Sequence, residues 1–322
     1  MNKPIAIIAG EPNSISSEII FRTWKLKKNY IHKPFFVIGS TQLLNLQKKK
    51  LKYKIKIKKI NNNFKINDLK GNELPVYDVS CKQKKTFEKI STKSNKYIFK
   101  CFEKALKFIK YKKIIGFVNC PISKESLFVN KHQGITEFLS KKSGKNGNES
   151  MLIYNKKLSV SPITTHIPLS DVSKKISLEK IIRNIKTINN FYKKIFKRKP
   201  KFCILGLNPH NFSPLKQSKE KLIIRSAVNS LSRLKINVIG PVSPDTSFMI
   251  HKKNEFDVII GLYHDQVLTP FKALFNFDAI NITLGLPFIR ISPDHGVAEN
   301  IMGQNVANPD SLIESIKFFN RI

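Results

Sequence analysis

Short apolar runs punctuate the chain, and between several of them apolar residues recur every three or four positions. The short runs read as strands: Ile5–Ala9, Phe35–Ile38, Ile114–Val118, Met151–Tyr154, Ser159–Thr164, Phe202–Leu205, Asn237–Ile239, Val258–Gly261 and Ala279–Leu284. Within 86–110, Phe87, Ile90, Ser94, Ile98, Cys101, Ala105 and Ile109 fall on one helical face. Leu178, Ile181, Ile182, Ile185, Ile188, Tyr192, Ile195 and Phe196 do the same within 178–196. Ser177 is placed to cap that second helix, and Glu179 sits at the positive end of its dipole. The segment 48–59, KKKLKYKIKIKK, alternates Tyr53, Ile55 and Ile57 with lysines and reads as a strand with one solvated face. Strands alternating with helices predict an α/β fold with largely parallel sheets. No internal repeat is visible, and Gly144–Gly147 marks a glycine-rich turn.

Composition sets bounds on this picture. The chain has 322 residues, 41% of them hydrophobic, enough for a sizeable core and for division into two lobes. The opening MNKPIAIIAGEP has too short an apolar run for an export signal and reads as a first strand. No run approaches the roughly 18 apolar residues of a membrane span. Cys81, Cys101, Cys120 and Cys203 are scattered without CxxC pairing, which fits a reducing cytoplasm and argues against a cysteine-ligated metal. A net charge of +36 has two readings. One is a polyanion-binding surface; the other is a compositional bias in a chain also rich in Asn, Ile and Phe. No helix-turn-helix, zinc finger or RNP-type motif accompanies the charge, so nucleic acid is not the expected partner. A basic cleft also suits a small phosphorylated substrate.

Ligands of open α/β sheets bind beyond the carboxyl ends of strands, so those ends carry the candidate chemistry. Four of them read NCPISK, TTHIPL, GLNPH and LYHDQ. Three place a histidine at or just past the strand: His166, His210 and His264, out of seven in the chain. Three neutral imidazoles with a vacant position make a catalytic divalent-metal site, typically zinc, which polarises a substrate oxygen. Each histidine alone also fits a hydrogen-bonded structural role, and there is no local HExxH to fix two ligands on one helix. Downstream, Lys272, Asn281 and Arg290 bracket a strand and its exit turn at Gly285-Leu286-Pro287. Lys272 and Arg290 could hold a phosphate, or be ordinary surface cations on a basic chain. Asp265 is placed to orient an imidazole. No GxGxxG occurs, so a dinucleotide would not bind through a Rossmann fingerprint.

TTHIPL, GLNPH, GPVSPDTSF (240–248), YHDQ and NITLGLPFIRISPDHG together resemble the 4-hydroxythreonine-4-phosphate dehydrogenase family of pyridoxal phosphate biosynthesis. AGEP at 9–12, CPISK at 120–124 and GITEFL at 134–139 extend the resemblance collinearly over nearly the whole chain. The resemblance implies a two-lobed α/β/α architecture similar to that of isocitrate and isopropylmalate dehydrogenases. The first lobe is expected over 1–118 plus 268–322 and the second over 119–267. It implies a cytoplasmic homodimer with active sites between lobes and shared across the subunit interface. His166, His210 and His264 match the family's metal ligands, zinc first, with magnesium or cobalt as alternatives. Thr136, Lys272, Asn281 and Arg290 match its substrate contacts. NAD, with NADP as the alternative, would bind through loops. Family members oxidise the C3 hydroxyl of 4-phosphooxy-L-threonine, and the resulting β-keto acid loses CO2 to give 3-amino-2-oxopropyl phosphate. Asp245, in PDT, is a candidate proton acceptor or a group orienting the substrate amine, and equally a turn residue after Pro244.

Three departures matter. The family's GHTE reads GITE, so Ile135 replaces a substrate-contacting histidine. Losing a hydrogen bond to a charged group costs about 1.5–3 kcal/mol. GEPAGIGPE reads GEPNSISSE at 10–18, and the glycine-rich stretch after NPH reads NFSPLKQSKEK at 211–221. Oxidation of another phosphorylated hydroxy acid, such as 4-phosphothreonate or 4-phosphoerythronate, is therefore the first alternative. Polyanion binding without catalysis is the second. Replacement His210→Ala is predicted to abolish turnover and metal binding together; full activity in that variant refutes the histidine site.

Overall fold

A computed structural model describes residues 3–27, 33–128, 134–144, 149–209, 218–250, 255–276 and 278–322. The strands in chain order are β1 (Ile5–Ile8), β2 (Phe35–Gly39), β3 (Ile57–Ile60), β4 (Leu74–Asp78), β5 (Gly116–Asn119) and β6 (Ser150–Tyr154). There follow β7 (Ser159–Pro162), β8 (Phe202–Leu205), β9 (Val238–Val242), β10 (Val258–Gly261), β11 (Ile280–Leu284) and β12 (Ile289–Pro293). Helices α1 (Ser16–Leu26), α2 (Thr41–Lys50), α3 (Asn95–Lys110), α4 (Lys124–Leu127), α5 (Ile135–Lys142) and α6 (Val172–Lys175) fall between them. The later helices are α7 (Leu178–Phe196), α8 (Lys219–Arg233), α9 (Pro244–Ile250), α10 (His264–Phe275) and α11 (Asp310–Phe318). None of the helices among the described residues is long and apolar enough to cross a membrane.

The chain forms two compact units, 1–131 with 288–322 and 132–287. The expected lobes ran 1–118 with 268–322 and 119–267; the compact units carry 119–131 in the first and 268–287 in the second. In the first unit the strand order is β3-β4-β2-β1-β5-β12, every described pair parallel. Strands β1, β2 and β5 are buried along their whole length, as expected when both faces of a parallel sheet are covered. The second unit orders its strands β11-β6-β7-β10-β8-β9. There β6 runs antiparallel to both neighbours, and β7, β10, β8 and β9 are parallel. The core of this unit joins Val267, Leu268 and Phe271 of α10 to Val160, Cys203, Leu205 and Ile259 of the strands beneath.

Helix α7 has the predicted bounds, and Ser177 accepts a hydrogen bond from the Lys180 amide as its cap. Two expectations need correction. The face predicted over 86–110 is helical only from Asn95, after a short 3-10 turn over Thr92–Ser94. Upstream, tertiary partners occupy the backbone: Glu88 donates to Asn13, and Thr86 accepts from Gln47. The segment 48–59 is not one strand. Lys48–Lys50 finish α2, Lys52 adopts a left-handed φ of 57°, and β3 begins at Ile57. Strand β4 escaped the pattern because Pro75, which cannot donate to a ladder, sits inside it.

Gly116 shows how closely the first sheet is packed. A Cβ there would lie 2.5 Å from the Ile289 carbonyl oxygen and 2.6 Å from the Phe319 ring. Overpacking of that kind costs about 1–3 kcal/mol. Gly116→Ala should lower the free energy of unfolding by that amount in denaturant titration. Gly296→Ala, where a Cβ meets nothing within 4 Å, should stay within about 0.5 kcal/mol of wild type.

Candidate active site

The histidine-bearing strand exits converge because their strands are neighbours. β7 pairs with β10 in register Ser159↔Val258 through Pro162↔Gly261, and β10 pairs with β8 from Val258↔Phe202 to Ile260↔Ile204. Adjacent strands lie about 4.8 Å apart, so three consecutive exits fall within about 10 Å. His166 follows β7 in an exposed turn, and His264 is the first residue of α10 after β10. Their ring centroids stand 5.9 Å apart. His264 Nδ1 lies 2.7 Å from the Asp265 carboxylate. A ring that donates Nδ1–H to a carboxylate keeps its Nε2 lone pair for a ligand, and Asp265 stands where such a carboxylate has to be. His210 lies outside the described residues. Among the described residues no three His, Cys, Asp or Glu side chains gather in a group able to hold a metal. The two histidines at hand nevertheless fit one: their rings stand together, and the carboxylate beside His264 Nδ1 is the partner a ligating imidazole takes on its other nitrogen.

Backbone and side-chain bonds tie the three exits together. Leu262 accepts from the Thr164 amide at 3.1 Å and from the Thr164 hydroxyl at 2.7 Å. The Leu262 amide donates to Gln266 Oε1 at 2.7 Å, and Gln266 Nε2 donates to the Gly206 carbonyl at 2.8 Å. Neither Thr164 nor Gln266 was singled out from sequence. Both lie inside the quoted motifs TTHIPL and YHDQ, but their partners are remote along the chain.

The other candidates occupy defined places. In the second unit, Thr136 lies at the start of α5 with its hydroxyl 3.5 Å from that of Thr283 on β11. The α5 start is fixed by Glu137, which accepts from the Gly134 amide at 2.8 Å. Asn281 lies two residues before Thr283 on β11, hence on the same face. Among the described residues its buried Oδ1 meets no hydrogen-bond donor, which leaves an acceptor for a ligand. Lys272 is exposed on α10, and Asp245 is exposed in the first turn of α9, directly after Pro244. In the first unit, Arg290 is buried on β12 and its Nε donates to Asn119 at 2.7 Å. Asn119 ends β5 in the NCPISK stretch, and sequence reading had not linked it to Arg290.

The sequence model of the family described as pyridoxal phosphate biosynthetic protein PdxA matches residues 31–319. The chain belongs to this family. A Sulfurihydrogenibium sp. (strain YO3AOP1) protein named 4-hydroxythreonine-4-phosphate dehydrogenase is 38% identical over 321 residues, covering 97% of this chain and 96% of its own. A Salmonella typhi protein provisionally named D-threonate 4-phosphate dehydrogenase is 30% identical over 322 residues, covering 98% of this chain and 97% of its own. The crystal structure of 4-hydroxythreonine-4-phosphate dehydrogenase from Klebsiella pneumoniae matches with a TM-score of 0.83 at 27% identity, over 98% of this chain and 97% of that one. Isocitrate dehydrogenase from Methylococcus capsulatus matches at a TM-score of 0.51 and 10% identity, over 97% of this chain and 83% of that one, a likeness of fold alone. The expected α/β class and its architectural likeness to an isocitrate dehydrogenase are therefore correct.

Within this PdxA family member the departures have physical consequences. Ile135 is buried, so an apolar side chain fills the position where the resemblance expects a histidine. In the loop 10–18, Ser14 Oγ donates to the Glu11 carbonyl at 2.7 Å and lies 2.8 Å from Ser16 Oγ. Ser16 Oγ in turn reaches the Pro121 carbonyl at 3.3 Å, so hydroxyls tie the loop down where glycines were expected. Of the replaced stretch 211–221, residues 211–217 lie outside the described residues, and Lys219 begins α8. All four cysteines are free, and burial raises their thiol pKa values, Cys203 to about 12. Their thiolates are therefore suppressed in the metal-free chain.

Glu11, in the AGEP turn, is wholly buried and accepts from the Asn13 amide and the Ser94 hydroxyl. Burial raises its pKa above the ordinary glutamate value, outweighing those hydrogen bonds. A carboxyl with a raised folded-state pKa favours folding below its unfolded pKa and loses that contribution as pH rises through the folded one. Glu11→Gln should therefore stabilise the protein at neutral pH. The advantage should shrink to nothing below the unfolded glutamate pKa in unfolding titrations run across pH.

Proposed function

We propose that this chain is a 4-hydroxythreonine-4-phosphate dehydrogenase. It oxidises the C3 hydroxyl of 4-phosphooxy-L-threonine with a nicotinamide cofactor, and the product loses CO2 to yield 3-amino-2-oxopropyl phosphate for pyridoxal phosphate biosynthesis. The observation that carries this reading is the pairing of His166 with His264 at the exits of adjacent parallel strands, with His264 oriented by Asp265. His166, His210 and His264 would hold a divalent cation, zinc before magnesium or cobalt. When bound, that cation would make the C3 hydroxyl acidic, and the nicotinamide, NAD before NADP, would accept the hydride.

The chain's own groups bind and orient. Asn281 offers a buried acceptor to a substrate hydroxyl or amine. Thr136, paired with Thr283, offers a hydroxyl near the α5 N-terminus, where the helix dipole favours an anionic group. Lys272 in the second unit and Arg290 in the first each carry a charge that suits a phosphate, and Asn119 holds the Arg290 Nε. Asp245, exposed in the first turn of α9, would accept a proton or orient the substrate amine. A homodimer with shared sites in the cytoplasm completes the reading.

A second reading is favoured by Ile135. An apolar group at that position suits a substrate that does not need the missing histidine, such as a 4-phosphorylated threonate or erythronate. Purified protein incubated with NAD and 4-phosphooxy-L-threonine should form NADH, read by absorbance, and a chelator should stop it. Turnover at least tenfold faster with 4-phospho-D-threonate would establish the second reading. Failure with both substrates in the presence of zinc, magnesium or cobalt would overturn the dehydrogenase assignment.

A further inference from the structure

Strands β10 and β8 ladder together as far as Ile260↔Ile204 and then part. Beyond that point Gly206 donates its amide outward to Val242 of β9, at 2.9 Å, while its carbonyl faces the gap. Across the gap the Leu262 amide is equally without a strand partner. Both groups need a bond, because an unpaired buried backbone group costs about as much as a lost hydrogen bond. The Gln266 side chain supplies both, accepting from Leu262 and donating to Gly206. A primary amide carries one donor end and one acceptor end, like a peptide unit. Here it stands in for the next rung of the ladder. On the other side of Leu262, the Thr164 amide and hydroxyl both donate to its carbonyl. The relay Thr164–Leu262–Gln266–Gly206 thus crosses three strand exits. Its members precede His166 by two residues, His264 by two and His210 by four, with Gln266 itself two residues beyond His264.

We infer that Gln266 is a positioning residue whose amide rung sets the spacing of the three histidine-bearing strand exits. This rests on the metal-site reading above. Gln266 need not touch substrate or cation to act. It sits in the first turn of α10, and α10 is clamped onto the sheet by Val267, Leu268 and Phe271, so the amide works from a rigid base. The chemistry also dictates which substitutions matter. Glutamate is isosteric and still accepts from Leu262, but it presents an acceptor to the Gly206 carbonyl and so opens the β8 side. Leucine removes both bonds.

The test is metal affinity, measured on the full-length protein with cobalt(II) by competition against a chromophoric chelator. The cobalt absorption spectrum and thermal unfolding are recorded alongside. Gln266→Glu and Gln266→Leu should each raise the cobalt dissociation constant about 10- to 100-fold, the usual effect of losing a group that orients ligands. The ligand-field bands should shift, while Gln266→Glu unfolds close to the wild-type temperature. Thr164→Val keeps the amide bond to Leu262 and should weaken binding less. If either Gln266 variant fails to fold, Thr164→Val decides: unchanged affinity and spectrum in it overturn the inference. Wild-type affinity in a folded Gln266→Glu likewise overturns it, provided His264→Ala has lost the metal. Should the wild-type chain itself bind no cobalt, the metal-site reading falls first, and the role of Gln266 falls with it.

Discussion

Three parallel strands end side by side, and the polar backbone groups exposed where they part have to be satisfied without a further strand. That constraint shapes the second unit at its chemical end. The β7–β10–β8 ladder carries the backbone bonds up to Pro162, Gly261 and Ile204, and then the chains diverge into a turn, a helix and a loop. Thr164 and Gln266 take over as side-chain partners at the point of divergence. The same divergence opens the space into which His166 and His264 project from neighbouring exits. A site at this end of an α/β sheet thus follows from how parallel strands terminate.

Packing holds the geometry that hydrogen bonding defines. Val267, Leu268 and Phe271 bury one face of α10 against β7, β8 and β10, so the helix carrying His264 cannot easily roll. Each of these apolar side chains contributes about 1.5–3 kcal/mol when fully buried. Asp265 adds orientation at short range, holding one imidazole nitrogen so that the other is presented. In the first unit a parallel logic operates on a cation. Arg290 is buried on β12, and Asn119 at the end of neighbouring β5 takes its Nε, which fixes the direction of a guanidinium that would otherwise be costly to enclose.

Membership of the PdxA family explains why the polar motifs are retained, and the departures show what is negotiable. Loop 10–18 replaces expected glycines with serines that hydrogen-bond to each other and to the Glu11 and Pro121 carbonyls. Ile135 exchanges a polar contact for burial beside a Thr136 that keeps its place opposite Thr283. The framework that places imidazoles and the buried arginine is thus separate from the loops and side chains that would select among related phosphorylated substrates.

Much of this was legible in the sequence. Apolar runs marked nine of the strands, because a run of buried β-type residues is a local signal, and Ser177 marked the start of α7 through a local capping bond. The histidines at strand exits and the carboxylate next to His264 were equally local. What the sequence could not decide is which exits meet. The order β7-β10-β8 is set by pairings between segments far apart in the chain. The Gln266–Gly206 bond spans 60 residues and the Arg290–Asn119 bond 171. No periodicity or propensity encodes such partners, since each depends on the closure of the sheet. For the same reason residues 86–91 gave up a plausible helix to bonds offered by distant side chains, whereas β4 stayed hidden for a local one, Pro75.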